Sequence, residues 1–284
     1  MNQLKINNKR RWLFVRLELN KTYCMDCLEG IKLIEDNSID LIVTSPPYDN
    51  IRDYKGYQKV NLSMLGKEIS RVLKDGGVCV MVMQDQTIKG RKSLTTFKTI
   101  VDWCENTELD LWECCLYERS GTPGAWWNKR FRVDHEYIPI FIKGKKPKYF
   151  SKEHMKIPVN QEYKKINESK KFLGSRGTNG EQIKNYKDVK LKDYKCCGTI
   201  LHYKNSSRES GGAKTFKKLH PATFPDKLAE DFILAFSQEG DVVMDVFSGS
   251  GTVHMMCKLN NRNYIGFEIA QEYVDIENKR LNEV

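Results

Sequence analysis

Hydrophobic and polar positions alternate along this chain in two different rhythms. Residues 39–43 (Ile-Asp-Leu-Ile-Val) form a short β-branched run after the polar Glu35-Asp36-Asn37-Ser38 turn, which predicts a buried strand. Before it, residues 20–31 read as a short strand running into a helix. Apolar residues at 62, 65, 69, 72 and 73 make a helical stripe that closes on Lys74-Asp75-Gly76-Gly77. Residues 78–83 are almost wholly apolar, as expected of a central parallel strand. A helix over 93–105 and strands over 109–117 and 137–142 follow. Periodicity then fades from 144 to 218 and returns with an amphipathic helix over 226–237, ended near Gly240. A strand (241–245), a glycine turn, a helix (253–259), a strand (264–268) and a last helix (271–281) complete the chain. Strands alternating with helices predict an α/β fold with a doubly wound, mostly parallel sheet. On this pattern residues 1–143 and 219–284 are two halves of one domain, and 144–218 is an insertion.

Charge sharpens that division. Residues 143–218 hold 21 Lys and Arg against 7 Asp and Glu, while the rest of the chain holds 26 against 30. The insertion therefore carries more than the whole net charge of +10. Such a concentrated surplus, interleaved with Tyr163, Phe172, Tyr186, Tyr194 and Tyr203, suits a polyanion such as nucleic acid better than an ordinary solvated surface. No apolar run approaches the roughly 18 residues that span a bilayer, and residues 1–5 lack a signal-peptide core, so a cytoplasmic protein is expected. The nine cysteines are odd in number, which argues for reduced thiols. Cys24-x-x-Cys27 and Cys196-Cys197 lack the further partners of a zinc site, and no metal is expected.

The candidate chemistry begins where the 39–43 strand ends, in Thr44-Ser45-Pro46-Pro47-Tyr48-Asp49-Asn50. Two prolines stop the ladder and stiffen a loop at the carboxyl end of a strand, where open α/β sheets place ligands. The loop offers a hydroxyl (Ser45), a carbonyl acceptor (Pro46) and a stacking ring (Tyr48), which suits holding a flat base by its amino edge and its face. A Gly-rich aromatic loop with Trp126 and Trp127 is a second candidate platform, though such a pair more often serves as packing. Near the other end, Gly249-Ser250-Gly251 follows a strand, and Glu268 closes the next one. A dinucleotide fingerprint would place a third glycine where this chain has His254. The pair therefore implies an adenosine ligand with no pyrophosphate to cradle. S-adenosylmethionine satisfies this, with its ribose on Glu268 and its amino-acid end facing Asp245 and the turn.

These stretches, taken in order, resemble the amino-methylating DNA methyltransferases of the permuted, β-type order. The resemblance rests on Thr44-Ser45-Pro46-Pro47-Tyr48, His135-Glu136-Tyr137, His220-Pro221-Ala222-x-Phe224-Pro225 and Asp245-x-Phe247-x-Gly249-x-Gly251-Thr252. It spans nearly everything from residue 20 to 281, although none of these motifs falls in the basic insertion and Asp245-Val246 replaces the usual Asp-Pro. It implies a circularly permuted Rossmann-like sheet of the S-adenosylmethionine-dependent methyltransferase type, with the insertion as target-recognition region. By this resemblance Asp26 contacts the cofactor's adenine, Phe247, Gly249, Gly251 and Thr252 shape the methionine pocket, and Phe224 and Pro225 line its other wall. Ser45, Pro46, Pro47 and Tyr48 then hold the target base.

The activity so implied is methyl transfer to the exocyclic amine of a base extruded from double-stranded DNA. The Pro-Cys dipeptide of a ring-carbon methylase is absent. Serine before Pro-Pro-Tyr accompanies cytosine N4 in most of the family, and Asp or Asn accompanies adenine N6, so cytosine is favoured with adenine as the alternative. A non-catalytic nucleic-acid-binding protein that keeps the fold is the rival, and an RNA substrate a weaker enzyme alternative. A cognate restriction endonuclease is a candidate partner whose existence the sequence leaves open, and the protein is expected as a monomer or homodimer.

Overall fold

The computed structural model describes residues 17–47, 60–119, 129–131, 133–160, 173–176, 179, 181–185, 192–203 and 225–284. In chain order these begin with β1 (Lys21–Cys24), α1 (Cys27–Ile31), β2 (Ile39–Thr44), α2 (Leu62–Val72), β3 (Leu73–Met81), β4 (Thr87–Ile88) and β5 (Arg91–Lys92). Then come α3 (Thr95–Asn106), β6 (Leu109–Glu118), β7 (His135–Lys143) and the small strands β8 (Ile157–Pro158), β9 (Leu173–Arg176), β10 (Gln182–Asn185), β11 (Tyr194–Lys195) and β12 (Ile200–His202). The chain closes with α4 (Asp226–Phe236), β13 (Val242–Asp245), α5 (Thr252–Leu259), β14 (Asn263–Glu268) and α6 (Gln271–Asn282).

Eight strands form one sheet in the order β1-β14-β13-β2-β3-β7-β6-β12. Only β7 runs against its neighbours, being antiparallel to β3 and β6; the other adjacent pairs are parallel. The sheet is thus mostly parallel, as the alternation of elements predicts, but β3 is parallel on one side only. A further departure concerns where β3 begins. The chain passes from α2 into the strand at Leu73 with no intervening loop, and a register shift between Ile39 and Leu41 absorbs the Lys74–Gly77 stretch.

Both faces of the central strands β2, β3 and β13 are buried, which is why they read as near-continuous apolar runs. Leu41, Val43, Val78, Val80 and Val243 face α4 and α5, packing with Leu228, Phe232, Ile233, Val253 and Cys257. Their strand neighbours Ile42, Cys79, Met81 and Met244 face α1, α2 and α3, packing with Ile31, Leu65, Ile69 and Trp103. At the centre, β2 and β13 lie side by side, and the chain winds away from them in opposite directions (β2 to β3, β13 to β14). That reversal is a topological switch point, and its carboxyl edge is where such sheets open a crevice.

The described parts of 144–218 return to the body of the domain. Ser151 N donates to Ala235 O (2.9 Å) and Tyr203 Oη to Asp231 Oδ2 (3.0 Å), so both stretches rest on α4. Strand β12 pairs with β6 and forms one edge of the main sheet.

Candidate active site

At the switch point two distant stretches close on each other. Thr44 Oγ1, the last side chain of β2, donates to Asp245 Oδ1, the last of β13, at 2.7 Å across 201 residues of sequence. Asp245 Oδ1 also accepts from Phe247 N at 3.0 Å, while Oδ2 accepts no hydrogen bond from the described residues. Burial raises the Asp245 carboxyl to about 6, against the opposing pull of His254, Thr44 and the Phe247 N–H. Beside it, Val82 N donates to Thr44 O (2.9 Å) and Ser45 Oγ donates to Val82 O (3.1 Å). A serine hydroxyl has one hydrogen and two lone pairs. With that hydrogen directed to a carbonyl, Ser45 meets any further polar group as an acceptor. Pro46 is buried next to it, and Pro47 is half-buried.

The glycine turn sits on the other side of Asp245. Gly249 N donates to Glu268 Oε2 and Ala270 N to Glu268 Oε1, both at 2.9 Å, and Ser248 N donates to Phe267 O at 3.0 Å. Glu268, at the end of β14, is therefore held against the turn, and burial raises its carboxyl despite those donors. Met25 N donates to Glu268 O (2.9 Å), which brings the β1 end alongside. Asp26 caps α1 there, its Oδ1 accepting from Leu28 N (2.8 Å) and Glu29 N (3.3 Å). Asp26, Ser45, Asp245, Gly249 and Glu268 thus share one edge of the sheet.

What holds the turn in place was not apparent from sequence reasoning. Glu277 and Arg280, one helical turn apart on α6, are both buried beneath it. Glu277 Oε2 accepts from Ser248 Oγ (3.1 Å), and Oε1 accepts from Thr22 Oγ1 (2.7 Å) and pairs with His254 Nδ1. The His254 ring stacks on Tyr264 with centroids 4.7 Å apart. Burial opposes the charge on His254, but Glu277 outweighs it and the imidazole is raised above its ordinary range. Arg280 Nη1 donates to Ser250 O (2.6 Å), Ser250 Oγ (3.1 Å) and Thr252 Oγ1 (3.4 Å), and Arg280 also faces Asp226 across 3.6 Å. It therefore links the start of α4, which Pro225 caps, to the glycine turn. Glycine is required twice here. A Cβ at Gly251, where φ is +76°, would collide with Glu277, and one at Gly266 would collide with the His254 ring. His254, which stands where a dinucleotide loop has its third glycine, pairs with Glu277 beneath the turn.

The remaining expected residues fall as follows. Pro225 is buried, and Phe247 is half-buried between Asp245 and the turn. Thr252 points its hydroxyl inward to Arg280. Tyr48, Trp126, Trp127 and Phe224 lie outside the described residues. Among the described residues no group of three or more His, Cys, Asp or Glu side chains is placed to hold a metal ion. Cys24 is exposed, whereas Cys27 is buried and its thiol is pushed up to about 12, chiefly by burial. No helix of the described residues is long and apolar enough to cross a membrane.

A doubly wound sheet whose double-proline loop and glycine turn meet at its switch point defines a class, and a family comparison identifies it. Residues 39–279 match the profile of the N6_N4_Mtase DNA methylases, and the chain belongs to that family. Among its relatives, the orphan methyltransferase M.BamHII of Bacillus amyloliquefaciens is 39% identical over 252 residues, covering 87% of this chain and 90% of that protein. The type II methyltransferase M.HpaI of Haemophilus parainfluenzae is 30% identical over 268 residues, covering 91% and 73%. Among solved structures, PvuII DNA methyltransferase (cytosine-N4-specific) superposes with a TM-score of 0.65 at 23% identity, covering 91% of this chain and 85% of that one. The M1.HpyAVI–SAM complex gives 0.59 at 21% identity, covering 92% and 98%. At such identities these two structures speak for the fold.

Proposed function

We propose that this DNA methylase moves a methyl group from S-adenosylmethionine to the exocyclic N4 amine of a cytosine extruded from duplex DNA. The observation that supports the proposal is the Thr44–Asp245 hydrogen bond, which holds side by side the ends of β2 and β13, where the double-proline loop and the glycine turn begin. A base stacked in a duplex cannot present its amine to a sulfonium methyl, so it must be flipped, at a cost of a few kcal/mol. Tyr48 would offset part of that cost by stacking on the base. Ser45 Oγ and the Pro46 carbonyl would accept the two amine hydrogens, which turns the nitrogen lone pair out of the ring toward the methyl group. Catalysis is then mostly positioning for in-line transfer.

On the cofactor side, Asp26 would meet the adenine and Glu268 the ribose diol. Asp245 Oδ2 and the Gly249–Gly251 backbone would face the amino-acid end, with Phe247, Thr252, Phe224 and Pro225 as walls. The basic 144–218 stretch would supply target recognition, packed against the two halves formed by 1–143 and 219–284. Serine at position 45 is what favours cytosine N4. Adenine N6 is the alternative, since a hydroxyl can accept from either amine. A cognate endonuclease is a candidate partner. Incubation of duplex DNA with the protein and methyl-labelled S-adenosylmethionine, followed by mass spectrometry of the nucleosides, tests the proposal. N4-methylcytosine is expected; N6-methyladenine alone would reassign the base. Tight duplex binding with no transfer to any DNA would favour a non-catalytic binding protein.

Asp245 gives this reading a pH signature. Its folded value of about 6 lies above the ordinary carboxylate range, so its contribution to ligand-free stability is present below about pH 4 and is lost as pH rises through 6. A cofactor ammonium binds the ionised form. Affinity for S-adenosylmethionine should therefore rise up to about tenfold per unit as pH approaches 6 and level off above it, with proton release on binding. Calorimetry between about pH 5 and 8 in two buffers measures both. A flat profile would mean that Asp245 does not meet the charged end of the cofactor.

A further inference from the structure

The β4–β5 hairpin lies outside the basic insertion and takes no part in the crevice described above. We propose that it is a separate duplex-contacting arm, in which Lys89 and Arg91 rest on phosphates beside the extruded base. The inference rests on duplex DNA being the substrate.

Position is the first argument. Val82, whose carbonyl accepts from Ser45, and Lys89 are seven residues apart, so the hairpin tip lies within about 25 Å of Val82 even for a fully extended chain. Duplex DNA carries one phosphate charge per roughly 1.7 Å of axis. A base seated at Ser45 therefore brings phosphates within range of the tip. The hairpin is also firmly rooted. Ser93 N donates to Gln86 O (3.0 Å), and Asp85 Oδ1, buried, accepts from Thr96 N (2.8 Å) at the start of α3.

Charge is the second argument. Residues 86–98 contain four basic side chains and no acidic one, and the neighbouring Lys129-Arg130 adds two more. Elsewhere on the surface Lys21, Lys32 and Lys227 pair with carboxylates. Lys89 and Arg91 are exposed and have no carboxylate partner among the described residues. Lys92 turns back to the Asp85 carbonyl (3.2 Å), and Arg130 donates to the Gly90 carbonyl at the tip. Phe131, the next residue, is fully exposed, and Ile88 of β4 is exposed as well. Cations interleaved with exposed apolar side chains match what a nucleic-acid surface takes.

Backbone strain is the third. The two-residue loop has φ of +47° at Lys89 and +77° at Gly90, the positive pair that a primed hairpin turn requires. Asparagine, aspartate or glycine takes the first of these positions with least strain. A lysine there keeps the charge at the tip at the expense of backbone comfort, a pattern that goes with binding sites.

The test compares the wild type with the double variant Lys89→Gln/Arg91→Gln, using fluorescence anisotropy on a labelled mixed-sequence duplex across a salt series. The variant should melt with the wild type and bind S-adenosylmethionine equally well. Its duplex affinity should fall about tenfold or more at low salt. Its slope of log affinity against log salt should be shallower by about 1.8, roughly 0.9 per phosphate released. Unchanged affinity and slope in a variant of a duplex-binding wild type would overturn the arm alone. A wild type that binds the cofactor but no duplex would overturn the substrate reading and the arm with it.

Discussion

Replacing Ser45 with alanine lowers the rate of methyl transfer by about 10²–10³-fold, the scale of losing one preorganised polar group at a reacting centre. Cofactor affinity stays where it was. The argument is electronic. An exocyclic amine shares its lone pair with the ring and is a poor nucleophile until its hydrogens are drawn toward acceptors. With its hydrogen toward Val82 O at 3.1 Å, Ser45 Oγ would meet the amine as an acceptor. Alanine forfeits that geometry while leaving the proline backbone in place. The loss of the Ser45–Val82 bond itself costs only about 1 kcal/mol of stability, too little to explain the rate. Pre-steady-state transfer to duplex DNA measures the chemical step, and Ser45→Thr should recover part of it. A variant in which rate and cofactor affinity fall together would make the hydroxyl a brace of the loop rather than a partner of the amine.

The largest effect on stability is expected beneath the glycine turn. Glu277→Leu removes the shared acceptor of His254, Thr22 and Ser248 at once and should cost about 3–5 kcal/mol, the penalty for breaking a buried pair. Melting should fall by on the order of 10 °C. The double variant His254→Leu/Glu277→Leu should recover most of this, because a buried ion pair replaced on both sides by apolar groups is often close to neutral. Thermal melts of the two single variants and the double variant measure the coupling. If the double variant were as damaged as the two singles added together, His254 and Glu277 would be independent packing residues and not a unit. Arg280 keeps its bonds to Ser250 in these variants, so the turn retains one of its two supports.

The strands that carry the site could be read from periodicity alone. Residues 39–43 and 241–245 became β2 and β13 because each is a short apolar run with both faces buried. That the two lie side by side came from motif order, since periodicity does not choose strand neighbours. Strand direction was equally hidden. Residues 137–142 have the same composition whether β7 is parallel or antiparallel to β3, and it is antiparallel. Strand β12 escaped notice because three residues, Ile200-Leu201-His202, are too few to show a rhythm and derive their order from β6. The Glu277–His254 pair did leave a trace. Val274, Glu277 and Leu281 fall on one buried stripe of α6, so a carboxylate occupies a core position. His254 stands where a third glycine would, and a charged residue on an apolar stripe calls for a partner of opposite sign.

The central claim is that the double-proline loop and the glycine turn serve one reaction. A crystal structure of the protein with a non-reactive S-adenosylmethionine analogue and a duplex containing the target base tests it most directly. The account predicts the methyl position of the analogue about 3–3.5 Å from an exocyclic amine held by Ser45 Oγ and the Pro46 carbonyl. An analogue bound away from Asp245 and Glu268, or an amine turned away from Ser45, would contradict it.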